Sequence, residues 1–165
     1  MRAFLAVLAL GFGLSTLRAD EVKVELKDVP KAVLETVKKR FPKAELIEAA
    51  KETDGTKVEF EVSLKDGETK YDVMLTPDGK ITLIEKTIAL KDLPKAVVEA
   101  IEKAYPKATH TLAEEMTKVI DGKEVLSYYE VRLTTADKKL LEVEVSPEGK
   151  IIKFEDKSAE APAKK

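Results

Sequence analysis

The chain repeats itself, and this constrains its fold more than any single motif does. Leu26-Lys27-Asp28-Val29-Pro30-Lys31-Ala32-Val33 returns as Leu90-Lys91-Asp92-Leu93-Pro94-Lys95-Ala96-Val97, 64 residues later. Phe41-Pro42-Lys43-Ala44 returns at the same offset as Tyr105-Pro106-Lys107-Ala108. Thr76-Pro77-Asp78-Gly79-Lys80-Ile81 returns as Ser146-Pro147-Glu148-Gly149-Lys150-Ile151, now 70 residues on, so the second copy holds six more residues between Ala108 and Leu141. Six of the seven prolines form the matched pairs 30/94, 42/106 and 77/147. Self-similarity on this scale marks one supersecondary unit used twice.

Each copy opens with a helical pattern. Val33, Leu34, Val37 and Phe41 share one helix face, as do Val97, Val98, Ile101 and Tyr105. Asp28 and Asp92 are placed to accept the free amide protons of the first turn, where Pro30 and Pro94 are tolerated. Pro42 and Pro106 then end each helix, because a proline disfavours helical geometry in the residue before it.

After the helix the period changes to two. Val58, Phe60, Val62 and Leu64 alternate with Glu59, Glu61 and Ser63, and Tyr71, Val73 and Leu75 with Asp72 and Met74. In the second copy Tyr129, Val131 and Leu133 alternate with Glu130 and Arg132, and Leu141, Val143 and Val145 with Glu142 and Glu144. Such alternation marks antiparallel strands with one buried and one solvated face. Asp54-Gly55, Asp66-Gly67 and Asp78-Gly79 lie twelve residues apart and read as turns. Thr135-Ala136-Asp137 stands in for one of them in copy two, so that turn should be longer or differently shaped.

The expected fold is therefore α+β: two tandem repeats, each one α-helix followed by a four-stranded antiparallel β-meander, with the helices packed on one sheet face. A short strand at Val22–Leu26 leads in, and Ile81–Leu90 runs without a linker from the first copy into the second. Residues 20–86 and 87–157 are the expected units. A unit this small is marginal alone, so the two should pack as one body. The tail 158–165 has no periodicity and is expected to be disordered.

The N-terminus reads as an address. Met1-Arg2 is followed by an uncharged run from Ala3 to Leu17, then Arg18-Ala19 and the charge-dense chain from Asp20. A basic start, a short apolar core and a small residue before the cut are the marks of a secretory signal peptide over 1–19. Fifteen uncharged residues are fewer than the ~20 that a membrane span needs. Its removal would leave 27 basic against 31 acidic residues, a net charge of −4. A periplasmic or secreted location follows, with no stable membrane insertion afterwards.

A helix of the form Leu/Val-Pro-x-Ala-Val…Phe/Tyr-Pro-x-Ala, followed by a β-meander and present twice behind a leader, resembles the PepSY-like, or β-lactamase-inhibitor-like, family across residues 22–157. The resemblance implies a secreted or periplasmic protein that restrains an enzyme, peptidases in particular, and a target held on a concave sheet. Inhibitors of that kind carry a disulfide in each repeat, whereas this chain has no cysteine.

Little here carries catalysis. Absent cysteines exclude thiolate nucleophiles and zinc–thiolate sites. The single histidine, His110, lies in a polar stretch past the second helix and has no counterpart in copy one. Glu59/Glu61 and Glu142/Glu144 have the spacing of acid–base pairs, which any solvated sheet face also produces. Lys38-Lys39-Arg40 and Lys43 complement a helix C-terminus. No catalytic, cofactor or metal residue is assigned, and a pI near 5.7 argues against nucleic acid. The better candidate is the open sheet face, where Tyr128, Glu130 and Arg132 alternate outward. Tyr and Arg are enriched at binding hot spots. The leading expectation is a non-enzymatic module that binds another exported or envelope protein. The alternative is a small-ligand or cation binder using Glu59, Glu61 and Asp72 on the acidic face.

Overall fold

The computed structural model describes residues 20–159. The expected leader over 1–19 and residues 160–165 of the expected tail lie outside them. Nine strands run β1 (Asp20–Val24), β2 (Glu45–Asp54), β3 (Lys57–Asp66), β4 (Thr69–Leu75), β5 (Ile81–Ile88), β6 (Thr109–Ile120), β7 (Lys123–Thr134), β8 (Leu140–Val145) and β9 (Ile151–Asp156). Each pairs antiparallel with its chain neighbours, in one sheet whose order is the order of the chain. Helix α1 (Lys31–Arg40) lies between β1 and β2, and α2 (Lys95–Ala104) between β5 and β6.

This corrects the expected pair of helix-plus-four-strand-meander repeats: the described residues form one nine-stranded antiparallel sheet with only two short α-helices among them. The physical reason is β5. On one side it pairs with β4, Val73 opposite Ile84, as Val143 lies opposite Phe154 in the second half. On the other side it pairs with β6, Ile88 opposite Ala113, as Val24 lies opposite Ala49 in the first half. One strand thus closes the first half and opens the second.

The helix starts also differ from expectation. Asp28 and Asp92 do not cap the helices; each ends a single 3-10 turn, and Pro30 and Pro94 occupy the cap positions with no side-chain cap bond. Proline forces the residue before it into extended geometry, and Val29 (φ −72°, ψ 138°) separates Asp28 from the helix it was expected to serve. The leading strand correspondingly stops at Val24. At the other end Phe41 and Tyr105 cap as the prolines after them require, their amides donating to the Val37 and Ile101 carbonyls at 2.8 Å.

Both helices lie on the same sheet face. Val33 and Val37 pack with Val62, Leu64, Val73 and Leu75; Val97 and Ile101 pack with Val131, Leu133, Val143 and Val145; all are fully buried. Each such side chain contributes about 1.5–3 kcal/mol of hydrophobic stabilisation. Two glycine turns seat the helices. Gly79 (φ +84°) and Gly149 (φ +86°) come so close to the Ala32 and Ala96 carbonyls that an added Cβ would lie 2.7 and 2.5 Å from the oxygens. The Thr135–Lys139 turn is longer than the Asp66-Gly67 turn, as expected, and repeats the hydrogen bonds of the Thr76–Lys80 turn with Lys138 (φ +68°) in place of glycine.

Candidate functional site

Because strand side chains alternate, every helix-facing residue has neighbours on the other face, and that face carries no helix. It forms a groove of about 730 Å³ crossing strands β2 to β9. Tyr128, Glu130 and Arg132 all line it, half-buried, as their alternation with buried Tyr129, Val131 and Leu133 requires. The register adds what the sequence did not single out. Asp72 stands opposite Glu85, Glu130 stands between Glu114 and Glu144, and Glu61 lies one row away.

Like charges directly opposed across a sheet repel, and the groove's wall removes water from them. Burial, then the charges of Glu114 and Glu61, pushes the Glu85 carboxyl up to about 9. Burial, then Asp72, raises Glu61 to about 8; burial, then Glu142, raises Glu130 to about 7. Glu114, also raised by burial, accepts a hydrogen bond from the Thr87 hydroxyl at 3.3 Å. The Tyr128 phenol is held protonated by burial and by Glu144, Glu130 and Glu85, while Lys118 sits 5.6 Å from its ring centre.

Lys70 lines the groove on β4, and Arg132, Lys153 and Lys157 line its other side. Arg132 donates through Nε (3.0 Å) and Nη2 to Glu142, which also pairs with Lys157 at 3.3 Å; Lys153 pairs with Glu155. Through space the Arg132 charge draws Glu114 down and the Lys157 charge draws Glu130 down, each offsetting part of the effect of burial. Glu85 and Glu114 are the residues that sequence reasoning missed. Their alternation was visible, but which strand meets which was not.

Other expected residues are dispersed. Glu61 and Asp72 meet on the groove, but Glu59 is only 7% exposed; its Oε2 lies 2.9 Å from Lys57 and its Oε1 is buried without a hydrogen-bond partner. His110 stands in β6 opposite Leu133, outside the groove lining. Arg40 is a strut, donating to the Glu124 carboxylate from Nε (3.2 Å) and Nη2 (3.1 Å) and lying over the Phe41 ring, while Lys38, Lys39 and Lys43 stay exposed.

Comparison with known proteins matches the family model described as "Putative beta-lactamase-inhibitor-like, PepSY-like" twice, over residues 16–85 and 58–153. The chain belongs to the PepSY-like family. Among solved structures, this PepSY-like chain is similar to a protein from Bacteroides eggerthii described as "putative periplasmic" (13% identity, TM-score 0.65, 79% of this chain and 91% of that one). It is similar also to a BLIP-like protein from Bacteroides fragilis (15%, 0.57, 77% and 85%) and to a DUF2874 family protein from Bacteroides uniformis (14%, 0.63, 78% and 90%). At such identities the likeness shows the fold. No curated protein matches in sequence. Among the described residues no helix is long and apolar enough to cross a membrane, and no three His, Asp or Glu side chains are grouped to hold a metal ion.

Proposed function

We propose that the chain is an exported, periplasmic, non-enzymatic protein-binding module that holds a basic surface of another exported or envelope protein in its groove and so restrains it, as an inhibitor restrains an enzyme. Residues 1–19 are its export leader in this reading. The observation that carries it is the pairing of like charges across the groove, Asp72 opposite Glu85 and Glu114 opposite Glu130. Such a face costs stability when the protein is alone, and a partner's Lys or Arg side chains would relieve that cost, giving charge complementarity and fast association. The family's inhibitor-like description and the periplasmic and BLIP-like neighbours support the same reading.

Crosslinked pull-down from an envelope extract with the chain lacking residues 1–19, followed by affinity measurements, tests it. Tyr128→Ala and Glu130→Ala should each weaken binding by about 2 kcal/mol, and binding should fall steeply with added salt. Unchanged affinity in both variants, with folding intact, removes this face. The same carboxylates support a second reading, a small-ligand or cation binder. A melting temperature raised by divalent ions alone, with no captured protein, would favour it.

A further inference from the structure

The first half of the molecule shows what the end of the second half lacks. At an offset of 70 residues Ile84 on β5 corresponds to Phe154 on β9, and each lies opposite the matching valine, Val73 and Val143. Ile84 is 5% exposed, because β6 pairs along the free side of β5. Phe154 is 60% exposed, because no strand among the described residues pairs along the outer side of β9. The other sheet edge lacks this signature: the exposed Val22 of β1 corresponds, at the 64-residue offset, to the polar Lys86 of β5.

We propose that β9 is a docking edge for a second copy of this chain, paired antiparallel about a two-fold axis at Phe154. The backbone fits that operation. The Lys157 amide donates inward to the Leu140 carbonyl, so by strand alternation the Glu155 and Lys153 amides also point at β8. The Phe154 and Asp156 amides and carbonyls point outward. With Phe154 on the axis the two copies form a hydrogen-bonded pair there, each Phe154 N–H donating to the other copy's Phe154 carbonyl.

The side chains fit it too. Pairing about Phe154 sets Lys153 of each copy opposite Glu155 of the other, two charge-complementary cross-strand pairs on the groove face. The two Phe154 rings meet on the helix face, where the first half places Ile84 under its neighbouring strand. The sheet would then run through eighteen strands, with the two carboxylate grooves side by side. A six-residue edge is a small interface, so the dimer forms only at high concentration, on the order of 100 µM.

Sedimentation equilibrium of residues 20–165 from about 10 µM to about 1 mM tests this. A reversible monomer–dimer equilibrium is expected, together with concentration-dependent exchange protection of the Phe154 and Asp156 amides. Phe154→Lys, at an exposed position that leaves the core intact, should weaken dimerisation by about tenfold or more. Lys153→Glu should do the same, and the double exchange Lys153→Glu/Glu155→Lys should restore it. A monomer throughout the range, a dimer indifferent to Phe154→Lys, or open-ended assembly through β1 would each overturn the proposal.

Discussion

Replacing Glu85 with Gln should stabilise the protein, and the gain should depend on pH in a defined direction. Glu85 faces Asp72 across the β4–β5 ladder, and Glu114, Glu61 and Glu130 add to its repulsion after burial. Its carboxyl is held near 9 in the folded state against an ordinary value near 4.3 in an unfolded chain. A group raised on folding contributes fully below its unfolded pKa, because both states then carry the proton. As pH rises the unfolded chain ionises while the folded one cannot, and that stability is gone once pH passes about 9. For a fixed, isolated carboxyl the loss would approach about 6 kcal/mol. The groove is open to water, and Glu61 and Glu130 relax when their neighbour is neutralised, which reduces the expected gain of Glu85→Gln to about 2 kcal/mol at pH 8. At pH 5 it should be below about 0.5 kcal/mol. Urea denaturation followed by far-UV circular dichroism at both pH values measures this. An equal gain at the two pH values, or a loss at pH 8, would refute the reasoning.

Val37→Asp and Ile101→Asp each place an unpaired charge in a fully buried site, at a cost of several kcal/mol. Because β5 belongs to both halves, either change should unfold the sheet in a single calorimetric transition; two transitions in the unsubstituted protein would contradict this. Gly79→Ala and Gly149→Ala should destabilise by about 2–4 kcal/mol, since positive φ and a carbonyl clash act together. Gly55→Ala, where positive φ acts in open space, should cost about 1 kcal/mol; equal melting-temperature losses at all three would remove the seating role of the two turns. Intact-mass analysis of the protein from its native envelope should find a chain starting at or near Asp20, and retention of Met1–Leu17 on most molecules would overturn the export reading.

Local physics made much of this molecule legible. Helix C-terminal ends followed from prolines that cannot continue a helix, and helix and strand faces followed from apolar spacing and alternation, so Val33, Val37, Val97 and Ile101 were placed inward and Tyr128, Glu130 and Arg132 on the open face before any contact was known. The repeat itself could be counted. What it meant in space could not, because Ile81–Leu90 reads as one strand whether it ends a unit, begins one or does both. Pairing along both sides of β5 decided that, since an unpaired interior edge would leave a row of backbone groups without partners. The groove's chemistry was decided in the same way. Asp72 and Glu85, or Glu114 and Glu130, lie on different strands and are ordinary as single solvated residues; hydrogen-bond register sets them face to face in the groove, where burial first and then neighbouring carboxylates raise Glu85, Glu114 and Glu130. Glu59 went the other way, read as a solvated neighbour of Glu61 and buried in the fold beside Lys57. Which side of its strand each residue occupies is local. Which charge meets which across strands is set by long-range pairing, and only the tertiary structure supplies it.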